Sequence, residues 1–250
     1  MFTKIFYINL DRRRERNEMV KKELFKIGWK GPVERISAID GKNLDEKTIK
    51  QYFTQQAIDQ ANTKYDKFIP GYYMTKGGMG CALSHRSIFL KIMQENHDCV
   101  LVIEDDIVFS QDFLSIWNRY TKSLPANFDL VYLGYHESEL TKFTTINSEF
   151  SKPSGVVFGT FGMVIHKKVV PSLLELFPVY GQIDSLISST FPKINVYTLH
   201  KQKRLVLSQE NSISDIQFTE EIEKPKNQII WNYWFIIVIL LILIICIFDE

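Results

Sequence analysis

The chain has 250 residues, of which 45% are hydrophobic and 24% charged, enough to bury a substantial core. Its 30 basic and 29 acidic side chains leave a formal net charge of +1, which excludes a bulk basic surface for nucleic acid and a strongly acidic disordered chain. Three widely spaced cysteines, Cys81, Cys99 and Cys246, make neither a disulfide framework nor a zinc motif and read as reduced thiols, with a Cys81–Cys99 pair as the alternative.

Residues 4–10 carry the apolar run IFYINL and predict a buried first strand. The acidic and basic residues 11–16 follow with no small-residue cleavage site, so the start does not read as a signal peptide. Asp11 is placed to cap a helix over 12–27. A second strand is expected over 33–39, ending at Asp40-Gly41, then a polar helix over 45–60. Residues 64–80, rich in Gly and Tyr, read as a loop, and 81–96 have helical apolar spacing. A buried strand over 99–103 runs straight into Glu104-Asp105-Asp106. A helix over 112–123, a strand over 129–134, a polar loop over 136–153, a strand region over 156–166, a helix over 167–177 and a short helix over 183–190 follow. The segments 194–199 and 205–207 close a domain expected to span 1–216.

Residues 217–228 read as a polar linker, and 229–248 as a transmembrane helix. Twenty residues at 1.5 Å each span about 30 Å, the thickness of a bilayer's hydrocarbon core. Trp231, Tyr233 and Trp234 suit the interface at its start, and Lys224 and Lys226 before it favour a cytosolic catalytic domain on a single-pass C-terminal anchor.

Strands alternating with helices predict an α/β domain with a mostly parallel central sheet, whose ligands sit beyond the carboxyl ends of the strands. The residues that follow each strand are therefore the candidates. After the first come Asn9 and an arginine cluster including Arg12 and Arg16, fitted to phosphate at a helix start or simply a solvated basic face. After the second, Asp40 could accept from a ribose hydroxyl, or serve a plain Asp-Gly turn.

Glu104-Asp105-Asp106 is the sharpest signal. In extended backbone Glu104 and Asp106 share a side while Asp105 points away. Two carboxylates and a diphosphate supply much of the oxygen shell of Mg²⁺ or Mn²⁺, and a cation would relieve their mutual repulsion. An acidic turn and a two-carboxylate glycosidase pair are the other readings. Gly77-Gly78-Met79-Gly80 before Ser84, His85 and Arg86 allow close backbone approach to a phosphate or sugar, although this is not a P-loop. His85 alone reads equally as a packed histidine, and Asp184 alone as an N-terminal helix charge.

Taken together these segments resemble glycosyltransferase family 25, the lipooligosaccharide and collagen galactosyltransferases. FYINLDRRRER (6–16), RISAIDG (35–41), GMGCALSHRSIFLKIMQEN (78–96), VLVIEDDIVF (100–109), DLVYLG (129–134), GTFGMVIHKKVVPSLL (159–174) and PVYGQID (178–184) run in the family's order, and QENSISDI (209–216) resembles its end. The resemblance implies a GT-A-like single domain, a UDP-sugar donor, galactose before glucose, and inversion at the anomeric carbon. It implies Mn²⁺ or Mg²⁺ on Glu104 and Asp106. Asn9, Arg12, Arg16, Asp40, Ser84, His85 and Asp105 would bind donor, and Asp184 would act as catalytic base. The acceptor would be a hydroxyl on a glycan, glycolipid or protein. A non-catalytic nucleotide-sugar-binding protein at a membrane, or a metal-dependent hydrolase, would share these residues.

Overall fold

In the computed structural model the described residues are 1–63, 73–136, 138–209 and 215. The expected linker and membrane segment, and part of the 64–80 loop, lie outside them. Among the described residues no helix is long and apolar enough to cross a membrane.

The elements run β1 (Lys4–Asn9), α1 (Arg14–Lys26), β2 (Val33–Ser37), α2 (Glu46–Tyr52), α3 (Gln55–Asn62), α4 (Lys76–Gln94), β3 (Cys99–Ile103), β4 (Ile107–Phe109), α5 (Phe113–Tyr120), β5 (Leu130–Tyr132), β6 (Thr141–Thr145), β7 (Phe150–Gly155), β8 (Gly162–His166), α6 (Val170–Leu174), α7 (Ile183–Ser189), β9 (Val196–Leu199) and β10 (Val206–Ser208). Eight strands form one sheet in the order β2-β1-β3-β8-β5-β9-β7-β6, and β10 pairs with β4.

The sheet is mixed rather than mostly parallel. The β2-β1, β1-β3 and β5-β9 pairs are parallel, whereas β3-β8, β8-β5, β9-β7 and β7-β6 are antiparallel. Strand direction was illegible because β3 and β8 are both buried apolar runs, CVLVI and GMVIH, with the same side-chain signature. Both faces of the sheet are covered. Phe6, Ile8, Val100 and Val102 pack into one core with α4 residues such as Ile88 and Phe89. Ile5, Tyr7, Leu101 and Ile103 pack into the other with Val20 of α1 and Trp117 of α5. Alternate side chains of one strand thus enter different cores, so no polar face remains to produce alternation.

Local contacts moved several expected boundaries. Asp11 does not cap α1, because Arg35 and Ser37 of β2 donate to its carboxylate at 2.5 and 2.8 Å, and the helix begins at Arg14. The helix expected over 45–60 is two, since Phe53 bridges to Val179 and Thr54 caps α3 through the Ala57 N–H. The glycines expected in a loop lie in the first turns of α4, which Thr75 caps through the Gly78 N–H at 2.9 Å. The polar stretch 136–153 contains most of a hairpin, β6-β7, in which β6 is mostly exposed and β7 carries polar residues at and between its buried positions, so neither shows an apolar pattern. Cys81 and Cys99 are free thiols, as the first reading has it.

The α4 start sits against the end of β2 with no room for side chains. A Cβ on Gly41 would fall on the Lys76 carbonyl, and one on Gly80 on the Ile39 carbonyl and 2.6 Å from the Gly41 nitrogen. These obstacles are backbone and cannot rotate away. Gly80→Ala is expected to destabilise the fold by about 1–3 kcal/mol, seen as a lower midpoint in denaturant unfolding with an unchanged slope.

Candidate active site

The carboxyl ends of parallel β2, β1 and β3 place residues 38–40, Asn9 and Glu104-Asp105-Asp106 side by side. The antiparallel β8 enters at this same end, since Gly162 pairs with Ile103, so Thr160 and Phe161 join them. The start of α7 adds Gln182 and Asp184, and α4 adds Gly77, Cys81 and Ser84. Together they enclose a cleft of about 630 Å³.

Asn9 and Asp105 act inside its wall. Asn9 Nδ2 donates to Asp105 Oδ2 at 2.7 Å, and Asn9 Oδ1 accepts from Arg35 at 2.9 Å. Arg16 donates to the other Asp105 oxygen at 2.9 Å and lies 3.5 Å from Asp106. Burial raises the Asp105 pKa, with Asn9 and Arg16 opposing. Asn9 and Arg16 therefore brace the acidic triplet through Asp105, and the same Arg16 nitrogen reaches Asp106, so Asp105 does not simply point away from its neighbours.

Arg12 and Asp40 form a second brace. Arg12 donates to Asp40 at 3.0 Å and to Asp215 at 2.7 Å, and Arg13 donates to Asp215 at 2.8 Å. Asp40 also accepts from the Lys42 N–H, closing the turn at Gly41. Burial would raise the Asp215 pKa, but the two guanidinium groups hold it below the ordinary value.

Ser84 lines the cleft but its hydroxyl is committed. It accepts from the Ile39 N–H at 2.8 Å and donates to the Gly80 carbonyl at 2.7 Å, tying α4 to the loop that carries Asp40. Ser84→Ala is expected to cost about 1–2 kcal/mol, measurable by denaturant unfolding.

His85, expected in the cleft, is instead fully buried behind its wall, because the next position on α4 turns into the core. Its Nε2 lies 3.8 Å from Glu104, too far for a hydrogen bond, and both ring nitrogens lack a hydrogen-bond partner. Burial works to raise the Glu104 pKa, but His85, the Thr160 hydroxyl at 2.5 Å and His136 hold it below the ordinary value.

Asp184 faces the cleft from the first turn of α7. Its oxygens accept from the Gly159 N–H at 3.1 Å and the Ser185 N–H at 2.7 Å. Burial raises its pKa despite both bonds, and the nearby Glu104 charge adds to the rise.

The charge balance constrains what can bind. Asp40, Glu104, Asp105, Asp106, Asp184 and Asp215 line the cleft against two guanidinium groups, Arg12 and Arg16, both already facing carboxylates. An anionic ligand entering alone would meet an acidic excess. Glu104, which accepts from the Thr160 hydroxyl, and Asp106, which Arg16 reaches at 3.5 Å, both line the cleft, and carboxylate oxygens are donors of the hard type that suits Mg²⁺ or Mn²⁺.

A profile described as glycosyltransferase family 25 (LPS biosynthesis protein) matches residues 2–187. The chain belongs to glycosyltransferase family 25. A glycosyltransferase 25 family member of Drosophila melanogaster is 30% identical over 188 residues, covering 70% of this chain and 28% of the relative. The Homo sapiens protein named inactive glycosyltransferase 25 family member 3 is 31% identical over 148 residues, covering 58% and 24%. Procollagen galactosyltransferase 1-B of Xenopus laevis is 30% identical over 143 residues, covering 53% and 21%. The chain thus spans less than a third of the length of these relatives.

In this family 25 chain the sequence reading left out several cleft residues. Thr160, Gln182 and Asp215 lie in the segments 159–174, 178–184 and 209–216 that carry the resemblance, but none of the three stands out there as a site residue. His136 packs on Phe161 with ring centroids 4.9 Å apart, and desolvation lowers its pKa although Glu104 and Asp184 oppose this. Its position after the β5 strand was the signal that could have found it.

Proposed function

We propose that this chain is an inverting hexosyltransferase of GT-A type, moving a hexose, with galactose first, from a UDP-sugar to a hydroxyl on a glycan, glycolipid or protein. The observation that carries the reading is the gathering of Glu104 and Asp106 on one wall of a single cleft with Asp184 on another. Family membership and the galactosyltransferase name of the Xenopus laevis relative support the donor sugar. Mn²⁺ or Mg²⁺ held by Glu104 and Asp106 would neutralise charge on the donor diphosphate.

Each residue then has a task. Asp105, Asn9 and Arg16 hold the acidic turn in place. Asp40 and Arg12 stand at the nucleotide side, and Ser84 fixes the loop between them and α4. Asp184 takes the proton from the acceptor hydroxyl as that oxygen attacks the anomeric carbon; its raised pKa makes it a better base than an exposed Asp. The walls position the two sugars and limit water. The apolar run 229–248 would hold the domain at a bilayer, facing the cytosol.

A donor screen on the full chain with Mn²⁺ tests this. UDP release is followed from UDP-galactose, UDP-glucose and UDP-N-acetylhexosamines, with and without hydroxyl acceptors. Acceptor-dependent release from one donor is expected. Release without acceptor would mark a hydrolase. Tight donor binding without turnover across all acceptors would favour a non-catalytic nucleotide-sugar-binding protein, the reading that the human relative's name as inactive supports.

A further inference from the structure

The full burial of His85 with two unpartnered nitrogens is anomalous. Buried polar atoms are normally paired, and an orphaned one marks strain, a water or an ion. Cys81 lies one helical turn before His85 on α4, so the two side chains share a face. Glu104 comes to the same point from the end of β3. The three potential ligand atoms, one sulfur, one nitrogen and one oxygen, lie within 4.8 Å of one another. No other such group of three occurs among the described residues.

We propose that Cys81, His85 and Glu104 form a binding site for a thiophilic divalent cation of the zinc class, separate in ligand chemistry from the hard-oxygen site of the acidic turn. Sulfur and imidazole ligands select zinc-like ions over Mg²⁺ and Mn²⁺. Tetrahedral zinc with bonds of about 2.0–2.3 Å holds its ligand atoms roughly 3.3–3.7 Å apart, so closing the present spacing takes side-chain shifts on the order of 1 Å. Three protein ligands leave a fourth position open. Cys81 and Glu104 both line the cleft, which gives the ion an entry path, while His85 waits behind them. Burial first, and the Glu104, Asp184 and Asp106 charges after it, hold the Cys81 pKa well above the ordinary value, so the thiol stays protonated until an ion binds; the thiol proton then goes to solvent as the metal–sulfur bond forms, and the same carboxylates attract the cation.

Both ions would draw on the same Glu104 carboxylate. Zinc at this point would therefore compete with the activating cation and inhibit transfer. That consequence rests on the proposed function above; the binding site itself does not.

The test is Co²⁺ alone titrated into the reduced full chain, followed by absorption. A thiolate-to-cobalt charge-transfer band with the intense d–d bands of a four-coordinate ion is expected, saturating at one ion per chain and erased by Zn²⁺. Cys81→Ser, nearly isosteric, should remove the charge-transfer band. His85→Gln should weaken binding at least about tenfold. Asp106→Asn should keep the bands whether or not it retains transferase activity, which separates failure of this site from failure of the functional reading. Absence of the thiolate band in the parent chain, its persistence in a folded Cys81→Ser variant, or its loss in Asp106→Asn would each overturn the proposal.

Discussion

Asp106→Asn is expected to fold like the parent and to lose at least about two orders of magnitude in turnover. The side chain is nearly isosteric, and the turn it sits on keeps its backbone bond, since the Asp106 carbonyl accepts from the Gln209 N–H at 2.7 Å. The loss would come from charge. Of the three acids, Asp105 has both oxygens committed to Asn9 and Arg16. Asp106, which Arg16 reaches at 3.5 Å, and Glu104, which accepts from Thr160, are the carboxylates proposed to meet a donor diphosphate with a divalent cation. Turnover measured by UDP release, with matched thermal unfolding, checks this. Full activity in Asp106→Asn, or in the parent chain under chelator, would remove the metal role.

Asp184→Asn should slow transfer by about 10²–10⁴-fold, the range for loss of a general base, while donor affinity stays within a few-fold. Asn keeps the size and one acceptor for the Gly159 and Ser185 N–H groups, but it cannot take a proton. The same carboxyl sets a pH dependence. Burial favours its protonated form, so its pKa lies above the ordinary value of 3.8. A base works only when deprotonated, so kcat/KM should fall as pH drops through that raised value. The limb should lie at higher pH than an exposed Asp would give, and it should disappear in Asp184→Asn. An unchanged acid limb in the variant, or weakened donor binding with normal single-turnover chemistry, would assign Asp184 to binding instead.

Much of the fold was legible because burial leaves a mark on composition. The runs at β1, β3, β5 and β9 are buried throughout and mostly apolar, and each appears within two residues of its expected position. The hairpin β6-β7 was not legible, because β6 is an edge strand with mostly exposed side chains and β7 buries Phe150, Ser151 and Pro153 without an apolar alternation, so both owe their form to backbone pairing, β7 with β9 and β6 with β7. The α4 start was misread for a related reason. Its glycines weaken helix propensity, and they are tolerated because only they allow the approach of Gly80 to the β2 end.

The site divides in the same way. Residue order and chemistry by themselves determined that acids follow a buried strand, that arginines follow another, and that Asp184 opens a short helix; hydrophobic burial and the end-of-strand rule read from a one-dimensional pattern suffice for that. Only the tertiary structure decided what each group is free to do. Arg16 is spent on Asp105 and Asp106, Ser84 on a backbone link, and His85 lies in the core beside Glu104 with no bonded partner. Hydrogen bonds and desolvation act over a few ångströms between residues as many as 203 positions apart, as Arg12 and Asp215 are, and such distances are fixed by packing, not by local sequence.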